Sequence, residues 1–148
     1  MSAAAFAAYF AALFAAHQVA DHWIQTEHQA AVKGQSGWVG RLACGAHVLT
    51  YTLTAVAAIG AMAVVCDLDP SLWRIAAGLA VSAVTHYIAD RRTPLRKLAA
   101  AAGHTSFFAL GAPRPGRDDN PSLGTGAYAL DQSYHVGWLF AAALIIAG

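Results

Sequence analysis

Apolar residues fall in four long runs separated by short polar stretches: Ala4 to Ile24, Leu42 to Cys66, Leu72 to Ala89 and Ala127 to Ala147. A helix that crosses a bilayer needs about 20 mostly apolar residues, and each run is close to that length. The pattern predicts an all-α fold in a single domain over residues 1–148, an integral membrane bundle of four transmembrane helices at about 4–28, 39–66, 71–91 and 126–147. Thr93 and Pro94 read as an N-cap followed by the first helical residue, and Gly103 as a stop, so a short cytoplasmic interfacial helix is expected over 94–102. Its Arg96 and Lys97 beside Leu95 and Leu98 suit a segment lying on the membrane surface. Gly and Pro crowd the stretch 103–125, which reads as a long loop.

A second pattern lies inside the runs. Each carries one polar pair spaced four residues apart, and so on one helical face: His17 with Asp21, His47 with Tyr51, His86 with Asp90, and Asp131 with His135. Gln25 and His28 extend the first stripe. The pairs sit toward the C-terminal end of the odd-numbered helices and the N-terminal end of the even-numbered ones, which places all of them at one depth. Small residues share these faces: Ala4, Ala8, Ala12, Ala16 and Ala20 on the first helix, Ala43 and Ala55 on the second, Gly78 and Ser82 on the third, and Ala127 on the fourth. Small residues let membrane helices approach closely, so these are expected to be inward faces.

Composition narrows the class. A chain that is 57% hydrophobic and 11% charged is too apolar for a soluble fold of this size. Residues 1–16 hold no Lys or Arg, unlike the basic start of a secretory signal peptide, so the first helix is expected to remain in the mature chain. Cys44 and Cys66 lie near opposite ends of the second helix, roughly 33 Å apart at the helical rise, and are expected to stay unpaired. The net charge of +1 conceals an asymmetry. Lys33 and Arg41 flank the first loop, and Arg91, Arg92, Arg96, Lys97, Arg114 and Arg117 fall in the third, while Arg74 alone accompanies Asp67 and Asp69 at the second. The positive-inside rule then places the first and third loops in the cytoplasm and both termini outside. The expected partner is membrane lipid, with no nucleic acid, and a homo-oligomer is allowed.

Three aspartates within spanning helices need compensation, because a carboxylate at mid-bilayer costs about 2.5 to 3.5 kcal/mol on insertion scales. Imidazole and carboxylate groups converging from several helices are what a divalent ion in a bundle core uses. The candidate ligands are His17, Asp21, His47, His86, Asp90, Asp131 and His135. Without thiolates the set favours one or two ions of Zn, Mn or Fe. Asp21, Asp90, Asp131 and Tyr51 are the candidate catalytic groups. Gln25, Gln132, Arg91 and Arg92 are candidates for orienting ligands or holding a phosphate, although interhelical hydrogen bonding is the simpler reading of the glutamines and topology anchoring that of the arginines. His22, His28 and Glu27 are expected at the cytoplasmic interface, and Trp23, Trp73 and Trp138 against lipid. A metal-free polar network or a proton relay would use the same residues. The glycine pattern Gly124 to Ala129 follows no strand, so it is not a dinucleotide site.

Taken together, His17-x3-Asp21-x3-Gln25, His47 with Tyr51, His86-x3-Asp90 and Leu130-Asp131-Gln132-x2-His135 resemble a bacterial membrane family known as domain of unknown function 3307. The resemblance covers nearly the whole chain. It implies a small multi-helix protein of the bacterial inner membrane and carries no reaction with it. Members often have a lysine after the third motif, where this chain has Arg91 and Arg92. Functionally, the residues point to a metal-dependent hydrolase acting on a lipid-linked or phosphate-bearing substrate at the cytoplasmic leaflet. An ion or small-molecule transporter and a non-catalytic membrane scaffold are the alternatives.

Overall fold

A computed structural model describes residues 2–112 and 124–148, and among them all regular structure is helical. Arg114 and Arg117, and most of the expected loop's second half, lie outside the described residues.

Helix α1 (Ala3–Val19) opens on Ser2, whose hydroxyl accepts the Ala5 amide at 3.0 Å. It continues as a π-helical turn, Ala20–Ile24, closed by the Gln25 amide reaching back to the Ala20 carbonyl at 2.8 Å. The first helix is thus shorter than the 4–28 expected. Thr26 and Gln29 form a capping box, side chain to backbone in both directions at 3.2 and 2.9 Å, and start a separate helix α2 (Glu27–Val32). This new start takes His28 off the His17–Asp21–Gln25 stripe and leaves it exposed.

Helix α3 (Gly37–Val65) follows a turn in which Gly37 has φ of 83°. Helix α4 (Leu72–Asp90) comes next, after a short connection. Arg92, with φ of 57°, turns the chain into α5 (Thr93–Ala101), and Pro94 occupies its first turn. Gly103, with φ of 76°, ends α5. The short helix α6 (Thr105–Phe108) and the long helix α7 (Thr125–Ala147) complete the described elements.

The four long helices pack in the order α1, α3, α4, α7 and back to α1, each touching two neighbours. Their shared core runs through Tyr9, Leu13, Ala16 and Ala20, then Tyr51, Ala55 and Ile59, then Leu79, and finally Leu139, Ala142, Ala143 and Ile146. Gly78 sits where α4 meets α7, and any Cβ there would lie 2.6 Å from Ile146 and 2.9 Å from the Ala142 carbonyl. The alanine stripe of α1 is buried at Ala12, Ala16 and Ala20 but exposed at Ala4. Outward faces carry Leu42, Leu49, Leu53 and Val56 on α3, together with the exposed indoles of Trp23, Trp38 and Trp73. Cys44 and Cys66 are both free.

Among the described residues, three segments are long and apolar enough to cross a membrane: Ala3–Ile24, Gly37–Val65 and Leu72–Asp90. Helix α7, expected as a fourth span, has the length but is not among them. Its N-terminal half carries Asp131, Gln132, Ser133 and His135, which dilute its apolar character.

Candidate metal centre

The ring of four helices brings every polar pair to one end. His17, at the end of α1, is fully buried, and Asp21 lies on the π-helical turn that follows. His47 comes from α3, His86 and Asp90 from the last turns of α4, and Asp131 and His135 from the first half of α7. π-Helical turns widen the helix locally and recur at functional sites. Here the turn holds Asp21 with Oδ2 3.6 Å from His17 Nδ1 and Oδ1 toward α3 and α4.

Two triangles of donor atoms share one edge. His47 Nε2 and His86 Nε2 are 3.0 Å apart. Asp21 Oδ1 lies 3.4 and 3.6 Å from them, and Asp90 Oδ2 lies 3.4 and 3.2 Å from them. A tetrahedral ion with bonds of about 2.0 to 2.2 Å separates its ligand atoms by roughly 3.3 to 3.6 Å. The four Asp–His edges, at 3.2 to 3.6 Å, are close to those of such a shell, while the shared His47–His86 edge of 3.0 Å is a hydrogen-bond separation and shorter. The groups His17–Asp21–His86, His47–His86–Asp90 and Asp90–Asp131–His135 each place donor atoms within 4.8 Å of one another, close enough to hold an ion.

Hydrogen bonding leaves Asp21 Oδ1 and Asp90 Oδ2 of these triangles open, while the Nε2 atoms of His47 and His86 pair with each other. Among the described residues, the buried side-chain atoms with no hydrogen-bond partner are both ring nitrogens of His17, Asp21 Oδ1, Gln25 Nε2, Nδ1 of His47 and His86, Asp90 Oδ2 and His135 Nε2. All belong to the cluster or its rim. An unpaired buried polar group costs about 1 to 3 kcal/mol, so their concentration calls for a common partner. His135 Nδ1 lies 2.8 Å from the Asp131 carbonyl; when that nitrogen carries the proton, Nε2 presents a lone pair to the centre. Aromatic contacts fix the rings, with Tyr51 stacked on His86 at 4.1 Å and His17 on His135 at 4.8 Å between centroids.

The chain belongs to the family known as domain of unknown function 3307. The match spans residues 9–147, so it takes in every residue of the cluster. No curated protein and no solved structure matches the chain. Membership thus leaves the chemistry to be read from the site.

A cavity of about 460 Å³ reaches the cluster from this same end. Asp21, Asp90 and Asp131 line its inner wall, Lys33, Arg92 and Arg96 supply cations, and Leu95, Phe108 and Tyr128 supply apolar surface. Gln25 and Gln132 also line it, and the Gln132 amide nitrogen lies 3.3 Å from Asp131 Oδ2.

Other sequence candidates stand elsewhere. The Tyr51 hydroxyl is 2.5 Å from Ser82 Oγ, so its polar atom is engaged within the packed core and its ring supports His86. Arg91 donates to the carbonyls of Lys33 and Gln35, both at 2.5 Å, and Arg92 to that of Ala30 at 3.2 Å. Arg92 therefore ties α2, and Arg91 the connection that follows it, to the α4–α5 turn, and of the two only Arg92 also lines this cavity.

Sequence reasoning missed Lys33. It reads as a loop cation, yet it is buried with Nζ 2.7 Å from Asp90 Oδ1. The ammonium beside Asp90 thus comes from the residue that caps the C-terminus of α2, between Asp21 and His47 in sequence, and not from the positions that follow Asp90. The available signal was electrostatic: three carboxylates on long apolar helices with no Lys or Arg within a few turns on the same helix.

Proposed function

We propose that this protein is a metal-dependent hydrolase of the membrane that acts on a phosphate-bearing amphiphile. The observation that carries the reading is the pair of donor triangles around the His47–His86 edge, opening onto a cavity with cationic and apolar walls. His47 and His86 would supply nitrogens, and Asp21 and Asp90 oxygens, to a divalent ion of the Zn, Mn or Fe type. Such an ion supplies Lewis acidity toward a phosphoryl oxygen and an acidified water. Asp131, less buried than Asp90 and facing the cavity, stands outside the two triangles and is positioned to take the proton. Water oxygen bonds to phosphorus, the ester P–O bond breaks, and the leaving alcohol gains a proton. Arg92 and Arg96 face the headgroup, while Leu95, Phe108 and Tyr128 contact the chain attached to it.

The apolar core at the opposite end argues against a conduit, since an ion crossing there would meet Tyr9, Leu13, Ile59, Leu139 and Ile146 with no polar relay. Purified protein should retain a stoichiometric transition metal and release phosphate from a short-chain phospholipid monoester in micelles. In proteoliposomes it should carry no metal or proton flux that depends on Asp131. Flux abolished by Asp131→Asn with the metal retained would replace the enzyme by a transporter.

The same reading takes α7 as a fourth span and sets the protein in the bacterial inner membrane with both termini outside. Support comes from Lys33, Arg41, Arg91, Arg92, Arg96 and Lys97 at the cluster's end, against Asp67, Asp69 and a lone Arg74 at the other. In a Cys44→Ala, Cys66→Ala background, single cysteines at Ser36 and Ser71 should react with an impermeant reagent from opposite sides. Labelling from one side alone would refute this topology.

A further inference from the structure

Asp90 divides its carboxylate between two partners. Oδ2 faces His47 and His86, at 3.4 and 3.2 Å, while Oδ1 lies 2.7 Å from the Lys33 ammonium. Asp90 is also the residue common to two groups of potential ligands, His47–His86–Asp90 and Asp90–Asp131–His135. A carboxylate shared in this way is what bridges the ions of a two-metal site, where the ions stand about 3.5 to 4 Å apart. In this chain the outer oxygen of the shared carboxylate already has a cation. Lys33 is held there from its backbone outward, since its carbonyl accepts from Arg91 and its side chain is about nine-tenths buried.

Charge leads to the same place. Three carboxylates against one buried ammonium leave two negative charges, which one divalent ion cancels. A second divalent ion would leave the buried centre with two excess positive charges in a medium that screens them poorly. Arg92 and Arg96 line the outer part of the cavity and are exposed, so water screens them from this balance.

We propose that Lys33 acts as a built-in second cation: the centre takes one divalent ion, and Asp90, Asp131 and His135 form a latent second site that the ammonium keeps closed. This rests on the metal reading above and adds to it the number of ions and the residue that sets it. His135 Nε2, buried and without a hydrogen-bond partner, is the nitrogen available to that latent site.

The test counts ions. Full-length protein in detergent is saturated with Zn²⁺, freed of excess by gel filtration, and analysed for metal per chain. Wild type should hold one ion, Lys33→Met two, and the double variant Lys33→Met, Asp131→Asn one again. Two ions in wild type, or one in a folded Lys33→Met, would overturn the role of Lys33 while leaving the metal reading intact. No ion in any variant would overturn both. Should Lys33→Met fail to fold, Lys33→Gln is counted in its place: two ions per chain support the role of Lys33, and one ion in the folded variant overturns it.

Discussion

The two ends of the helical ring are built on the same backbone and satisfied in opposite ways. At one end Tyr9, Leu13, Ile59, Leu79, Leu139 and Ile146 interlock, and close helix contact at Gly78 leaves no room for a Cβ. At the other, four imidazoles and three carboxylates face one another, and the buried polar atoms without hydrogen bonds are gathered there and at Gln25. The first end is complete with the chain's own atoms. The second has donor atoms close enough together to hold an ion and a cavity leading to them, so an ion is what could complete its interactions. The apolar end therefore acts as a dry clamp that sets the helix spacing, and that spacing positions the ligands one or two turns further along.

This division can be broken one end at a time. The largest expected effect is on binding: His86→Ala removes a donor common to both triangles and leaves their other atoms unpaired. Ion affinity should fall at least about 100-fold, or roughly 2.7 kcal/mol, with helix content unchanged by circular dichroism. Gly78→Val acts on the other end, pushing branched atoms toward Ile146 and the Ala142 carbonyl. It should lower stability by about 1 to 3 kcal/mol in detergent unfolding while the protein, when folded, still binds its ion. If His86→Ala unfolds the chain, or Gly78→Val empties the site, the two ends are not separable and the clamp reading fails.

Much of this was legible in the linear pattern. Hydrophobic runs marked the long helices, and the i, i+4 pairs with small residues on the same faces marked the converging cluster, because helical geometry and charge cost in lipid act locally on the sequence. What was hidden depends on the third dimension. The break at Gln25 comes from a capping box at Thr26 and Gln29 that competes with helix continuation, and an apolar count cannot weigh the two. Arg91 and Arg92 carry the same sequence signal whether they anchor topology or donate to carbonyls in α2 and just after it. Lys33 reached Asp90 only through that docking of α2. Helix α7 falls short as an apolar span for the reason it matters chemically, since Asp131, Gln132 and His135 lie within it.

Tyr51 stands at the border between the two ends, and the smallest predicted effect sharpens where that border lies. Its hydroxyl pairs with Ser82 at 2.5 Å, its ring stacks on His86, and the residue is buried with Ala55 and Ile59 in the apolar core. Tyr51→Phe keeps the ring and its contact with His86 and removes one hydrogen bond, worth about 0.6 kcal/mol on average between membrane helices. The freed Ser82 hydroxyl can turn back to its own helix, which limits the loss further. Stability should fall by about that amount, and ion affinity should change less than roughly threefold, the same energy expressed as a binding ratio. Hydrolysis should follow the ion and remain near wild type. A general acid would behave differently: its removal lowers kcat by about 100-fold or more while the ion stays bound. Measuring ion affinity and kcat on the same Tyr51→Phe preparation separates the two, and a large kcat loss with the ion retained would move Tyr51 from the supporting core into the reacting group.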